Sequence, residues 1–238
     1  MKKLISFPLA LPFFIILLLL PFFLLAIAAL LGLVAADLAS KALGLTPVKA
    51  LVIYLAILLG SLFNIPVYEF KSPGRVQPPM LPYMGARYKL PSWLGHRTIL
   101  TVNVGGCIIP AVLSVYFALS LPLISVLLTT VVVALGVYYF SRPVRSVGIM
   151  TPVLVSPLLA VAVSLIALHL YGGGYGLLAR LAFASGVFGT IFGADIMHLP
   201  GIRKMGPDFV SIGGAGTFDG ILLTGIIATV LAVIITSF

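Results

Sequence analysis

The sequence predicts an all-α fold, a polytopic transmembrane helix bundle of about seven spans, and three observations carry that expectation. Mean hydropathy is +1.26. Only 8% of the 238 residues are charged and 61% are hydrophobic, whereas a soluble domain carries about 25% charged residues. The apolar residues fall in runs of about 20, the length a helix needs to cross hydrocarbon. Helices are expected because backbone groups in lipid must be satisfied within the segment, and no polar/apolar alternation suggests a barrel.

The first run, residues 10–36, follows Lys2 and Lys3 and contains Ala26-Ile27-Ala28, an arrangement that imitates a secretory signal. Its length exceeds the apolar region of a signal, about 7 to 15 residues, and favours a retained first span. Pro8, Pro12 and Pro21 kink it or delay its start. Further spans are expected over residues 47–66, 98–119, 121–140, 150–171, 177–198 and 209–238.

The connections set an orientation. With the N-terminus cytoplasmic, the inner set holds Lys2, Lys3, Lys71, Arg75, Arg87, Lys89, Arg97, Arg142, Arg145, Arg203 and Lys204, eleven of fourteen bases. Lys41, Lys49 and Arg180 remain outside, so the positive-inside rule gives a multi-pass cell-membrane protein with an external C-terminus. The same distribution excludes nucleic acid as a partner despite the net charge of +9, because no basic face persists over a folded unit. Residues 67–97 hold Pro73, Pro78, Pro79, Pro82 and Pro91 among aromatics and bases, which predicts an irregular cytoplasmic loop within a single transmembrane domain. Such a mixture suits a membrane interface; its functional version is a cover attracting an anionic substrate or headgroup through Arg75, Arg87 and Lys89.

Paired motifs raise the question of a parallel internal repeat. Gly60-Ser61-Leu62-Phe63 resembles Gly189-Thr190-Ile191-Phe192, and Val104-Gly105-Gly106-Cys107 resembles Ile212-Gly213-Gly214-Ala215. Both hairpins run outside to inside and back, which would put the symmetry axis along the membrane normal.

The residues that stand out chemically are acids. Only five occur in the chain, and Asp195 and Asp219 lie in glycine-rich breaks of hydrophobic runs. An ionised carboxylate in hydrocarbon costs about 3 kcal/mol even on the lenient insertion scale, so each marks a candidate ion or ligand site. On an α-helix, Ser185, Gly189 and Gly193 stack on one side and admit a close neighbour, while Asp195 and His198 share the other. Asp219 is also placed to begin a final helix, where the helix dipole favours its charge. Gly213, Gly214 and Gly216 beside it leave backbone groups free to bind a ligand, as in the broken helices of membrane carriers. Asn64 and Asn103 are uncharged counterparts in the first hairpin, either facing the aspartates or pairing kinked helices. Asp195 and His198 supply too few ligands for a fixed metal, and no cofactor motif occurs, so neither metal nor cofactor is expected. Cys107, the only cysteine, reads as a small packing residue.

Gly-Ser-x-x-Asn-Ile-Pro at 60–66, Val-Asn-Val-Gly-Gly at 102–106, Gly-Ala-Asp at 193–195 and Ile-Gly-Gly-Ala-Gly-Thr-Phe-Asp-Gly-Ile at 212–221 resemble the signature of a family of prokaryotic membrane proteins of unknown function. The resemblance implies that the polar breaks belong to one module and brings no activity with it.

Three functions fit these features. A membrane carrier, proton- or cation-coupled, uses the broken helices and both aspartates, with a small solute or ion as partner. An intramembrane aspartyl hydrolase would use Asp195 and Asp219 as a catalytic dyad on a peptide. Gly-Ala-Asp departs from the Gly-x-Gly-Asp of presenilin-like and prepilin peptidases, however, and the companion Tyr-Asp and Pro-Ala-Leu motifs are absent. A non-catalytic assembly or lipid-binding protein, with membrane lipid or a second copy in a homo-oligomer as partner, is the third.

Overall fold

The computed structural model describes residues 42–71, 80–83, 86–89, 97–144, 148–171, 174–205, 207, 209–214 and 219–237. The expected first span, residues 10–36, lies outside them. The helices are α1 (Pro47–Gly60), α2 (Ile109–Ala118), α3 (Leu123–Phe140), α4 (Val155–Tyr171), α5 (Leu178–Thr190), α6 (Leu199–Met205) and α7 (Gly220–Thr236). Two π-helical turns join them to their surroundings: Val104–Ile108 leads into α2, and Ile191–Ile196 continues α5.

The fold is mostly helical, and α5 is its axis. It packs against α2, α3, α4 and α7. The sequence of α5 explains this: Ala179, Ala182, Ala184, Ser185, Gly186 and Gly189 present so little side chain that neighbours approach its backbone closely. A Cβ at Gly189 would lie 2.5 Å from Val133 Cγ1 of α3, and one at Gly186 2.9 Å from Thr224 Cγ2 of α7. Larger side chains fill what remains. Phe117 of α2 meets Phe183 of α5 edge-on, centroids 5.4 Å apart, and Leu178, Leu181 and Val187 are fully buried.

Among the described residues, two helical stretches are long and apolar enough to cross a membrane: Leu123–Phe140, 18 residues, and Tyr175–Arg203, 29 residues. The second runs through a 3-10 turn (Tyr175–Leu177), α5, the π turn and α6. They differ in surroundings, since 78% of the window in the second is buried and only 33% in the first. Leu123, Ile124, Leu127, Leu128, Val131 and Val132 of α3 accordingly point outward.

The all-α expectation needs correction. Spans drawn over 47–66, 98–119 and 209–238 contain shorter helices flanked by strands. Strands β1 (Asn64–Lys71), β4 (Arg97–Asn103) and β7 (Phe209–Ile212) form a three-stranded sheet, ordered β1-β4-β7. β1 and β4 are antiparallel, and β4 and β7 parallel. The physical cause is local. Thr98, Ile99, Thr101 and Val102 are β-branched and suit a pleated strand, and Gly105-Gly106 ends the apolar run that hydropathy alone reads as continuous. Pro66 is tolerated because β1 is an edge strand, and the register shifts between Pro66 and Tyr68.

Two hairpins complete the strands: β2 (Met80–Tyr83) with β3 (Ala86–Lys89), and β5 (Arg142–Val144) with β6 (Gly148–Met150). Residues 67–97, expected to be irregular throughout, thus contribute the end of β1, the β2-β3 hairpin and the first residue of β4. Backbone pairing at hairpin edges accommodates proline, which composition alone reads only as a breaker.

Candidate functional site

Asp195 sits in the π turn that continues α5, and Asp219 is the N-cap of α7. Both line one cavity of about 280 Å³, together with Ser156 of α4, Thr190 of α5, Thr224 of α7, and Ile149 to Val153. The convergence of two acids from separate breaks is the central geometric result. Each carboxylate bears on the cavity for a different local reason.

Asp219 is held by its helix. Its backbone is extended at φ −70° and ψ 145°, and its Oδ1 accepts from Ile221 N at 2.9 Å. Its carbonyl accepts from Leu223 N at 2.9 Å, so Asp219 opens α7 in the manner of a capping residue. Cavity lining and capping coexist in one residue.

Asp195 is placed by a change of helical pitch. Gly193 packs so closely on α3 that a Cβ there would collide with the Ala134 carbonyl. The π turn then advances the chain differently from an α-helix, and Asp195 emerges half-buried on the cavity side. Single π turns within α-helices are frequent at functional sites.

His198 takes a different position from the one its spacing suggests. It is not among the cavity's lining residues. Its ring is buried, 4.6 Å from the Tyr138 ring of α3, and its Nδ1 lies 3.0 Å from the Gly193 carbonyl and 2.9 Å from that of Ala194. Carbonyls only accept, so Nδ1 carries the proton and donates. His198 therefore clamps the π turn that bears Asp195.

The hydroxyls around the cavity are ordered by the same logic. Thr224 Oγ1 donates to the Gly220 carbonyl at 2.6 Å, leaving it to accept from Thr190 Oγ1 at 3.3 Å. Ser141 Oγ donates to the Val137 carbonyl at 2.7 Å, so Thr151 Oγ1 donates to Ser141 at 2.6 Å. These residues were not singled out from the sequence, because serine and threonine pair apolar helices too often to signal a site by themselves.

Asn64 and Asn103 form a second polar centre, apart from the aspartates. They face each other across β1 and β4. Asn103 is fully buried: its Nδ2 donates to the Ser61 carbonyl at 2.9 Å and to Asn64 Oδ1 at 3.2 Å, and its Oδ1 accepts from Gly106 N at 2.7 Å. Ser211 Oγ of β7 donates to Asn64 Oδ1 at 2.7 Å. This clasp ties all three strands to the first π turn and leaves Asn103 no spare hydrogen atom.

Of the glycines expected to offer backbone to a ligand, Gly213 is structural. Gly213 adopts φ +71°, and a Cβ there would lie 2.7 Å from Cys107 Cβ and 2.8 Å from Cys107 N. Gly213 thus packs onto the turn of Gly105 and Gly106, with Cys107 buried against it. Gly214 is exposed, and Gly216 lies outside the described residues. Among the described residues no group of three or more His, Cys, Asp or Glu side chains is placed to hold a metal.

Ile57, Gly60, Ser61, Asn64, Asn103, Gly105, Gly106 and Gly213 thus interlock around one turn, while Asp195 and Asp219 line a separate cavity. The family model described as "Protein of unknown function (DUF1614)" matches residues 58–231. The chain belongs to this family. The matched region runs from the end of α1 into α7 and contains both polar centres. No curated protein and no solved structure matches the chain.

Proposed function

We propose that the protein is a multi-pass membrane carrier, coupled to a proton or cation, with Asp195 and Asp219 as its binding site. One observation carries the reading: two acids from separate helix breaks line a single cavity in an otherwise apolar bundle. A carboxylate in such a place is costly, and proton or cation exchange is the use that repays it. A π turn on one side and a helix N-terminus on the other are the kinds of helix interruption from which carriers build sites.

The distribution of charge supports the orientation. Lys71, Arg97, Arg142 and Arg203 belong to the end of the bundle that holds the sheet and α6, whereas Arg180 bonds the Leu43 carbonyl at the other end, near Lys49. The basic end is assigned to the cytoplasm, which leaves the C-terminus external. The sheet's open edges on β1 and β7 belong outside hydrocarbon, where water or headgroups satisfy them. The outward apolar face of α3 is assigned to lipid. The matching glycine pairs at 105–106 and 213–214, each following a strand of one parallel pair, fit a parallel repeat.

Reconstituted proton or sodium flux tests the function. Wild-type vesicles should show flux, and Asp195→Asn and Asp219→Asn should each lower it at least tenfold. Peptide cleavage, abolished by the same variants, would instead establish the aspartyl hydrolase. Absence of both activities would leave the non-catalytic assembly or lipid-binding reading.

A further inference from the structure

We infer that the ligand of the Asp195 and Asp219 cavity is an organic cation, a protonated amine with an aliphatic body, and that the site excludes organic anions. The inference rests on the site assigned above and names its substrate class, but it requires no turnover.

Three features of the cavity select this chemistry. Its sign comes first. The chain carries fourteen bases against five acids, yet the described lining holds two acids and no base. A cleft with low-dielectric walls focuses the field of its charges, so this one attracts cations and repels anions.

The second feature is size. A cavity of about 280 Å³ stands at the lower edge of small-molecule pockets, about 300 to 1,000 Å³. A bare metal ion is instead enclosed by oxygen ligands in direct contact and leaves no such volume.

Wall chemistry is the third. Ile149, Met150, Val153, Ile221 and Leu223 line the cavity alongside Ser156, Thr190, Thr224 and the two acids. Apolar wall does nothing for a hydrated ion and is favourable for an alkyl chain. A cationic head at the carboxylates with its chain along these residues satisfies both halves. The hydroxyl of Thr190 is already directed to Thr224, and that of Thr224 to the Gly220 carbonyl. Charge recognition therefore falls to the carboxylates, the only acidic or basic groups in the described lining.

Equilibrium binding to the full chain in lipid nanodiscs, with empty nanodiscs subtracted, tests this. The probes are methylammonium, pentylammonium, pentanoate and sodium. Pentylammonium should bind at least tenfold more tightly than methylammonium or sodium, and pentanoate should not bind. Asp195→Asn should weaken pentylammonium at least tenfold. Leu223→Trp keeps both acids and narrows the apolar wall; it should weaken pentylammonium at least tenfold more than it weakens methylammonium. Equal binding of pentanoate and pentylammonium overturns the inference, as does sodium displacing pentylammonium at equal concentration or unchanged binding in both variants. Binding without flux would remove only the carrier reading. Aspartate-dependent proton flux without amine binding would remove only the amine.

Discussion

Gly213 shows how much one residue can decide. Its positive φ is disfavoured for any side chain, and a Cβ would press on the Cys107 backbone. Gly213→Ala should lower stability by about 2 kcal/mol or more in thermal unfolding of the detergent-solubilised protein. Gly176, with nothing within 4 Å of its would-be Cβ, should accept alanine with a change near zero. His198 is the second case. Leucine at this position leaves the Gly193 and Ala194 carbonyls without their side-chain donor, which costs about 1–3 kcal/mol. Asparagine retains a donor near the position of Nδ1. His198→Leu should therefore unfold at lower temperature than His198→Asn, and equal melting of the two variants would remove the clamp. The sequence placed His198 beside Asp195 by counting residues along an α-helix. The π turn changed the count, and no local pattern announces it.

Contacts between elements are decided by what lies opposite a small residue. Gly189 and Gly193 both face α3, but a Cβ at Gly189 meets the Val133 side chain, whereas one at Gly193 meets the Ala134 carbonyl. Side chains can be trimmed and backbone cannot. Gly189→Ala should destabilise, and Val133→Ala added to it should recover part of the loss; Gly193→Ala should have no such rescue among α3 side chains. A double-mutant cycle on thermal stability reads the difference as a coupling of about 0.5 kcal/mol or more for the first pair. The small-residue spacing of Ser185, Gly189 and Gly193 was legible in the sequence, and for the two glycines it identified a real contact face. Ser185 turns instead to Ser164 of α4, their hydroxyl oxygens 3.3 Å apart. The strands were not legible. Hydropathy treats Thr98 to Asn103 and the helix after it as one apolar run, and only their pairing with β1 and β7 separates them.

At the scale of the whole molecule, one end carries the sheet and most described bases, and the other carries Arg180 on the Leu43 carbonyl. Cysteine accessibility checks the proposed orientation. In a Cys107→Ser background, single cysteines at Arg142 and Arg203 should react with impermeant reagent only in inside-out vesicles, and one at Ser237 only in right-side-out vesicles. Reaction of Arg142 and Ser237 positions from the same side would overturn an opposed arrangement of those two sites. Asp195 and Asp219, picked out because acids are rare in this chain, line one cavity. Asn64 and Asn103, chosen because they flank proline and glycine breaks, instead close a hydrogen-bonded clasp that binds strands together.

Composition by itself established an apolar, mostly helical chain, and the scarcity of acids pointed to Asp195 and Asp219, because a buried charge is too expensive to occur without cause. Which groups share a cavity was settled only by tertiary structure. The pitch of a π turn, the pairing of β4 with β7 and the closeness of α5 to its neighbours depend on contacts between residues far apart along the chain. Local pattern records the cost of a residue, and only the assembled fold supplies its partner.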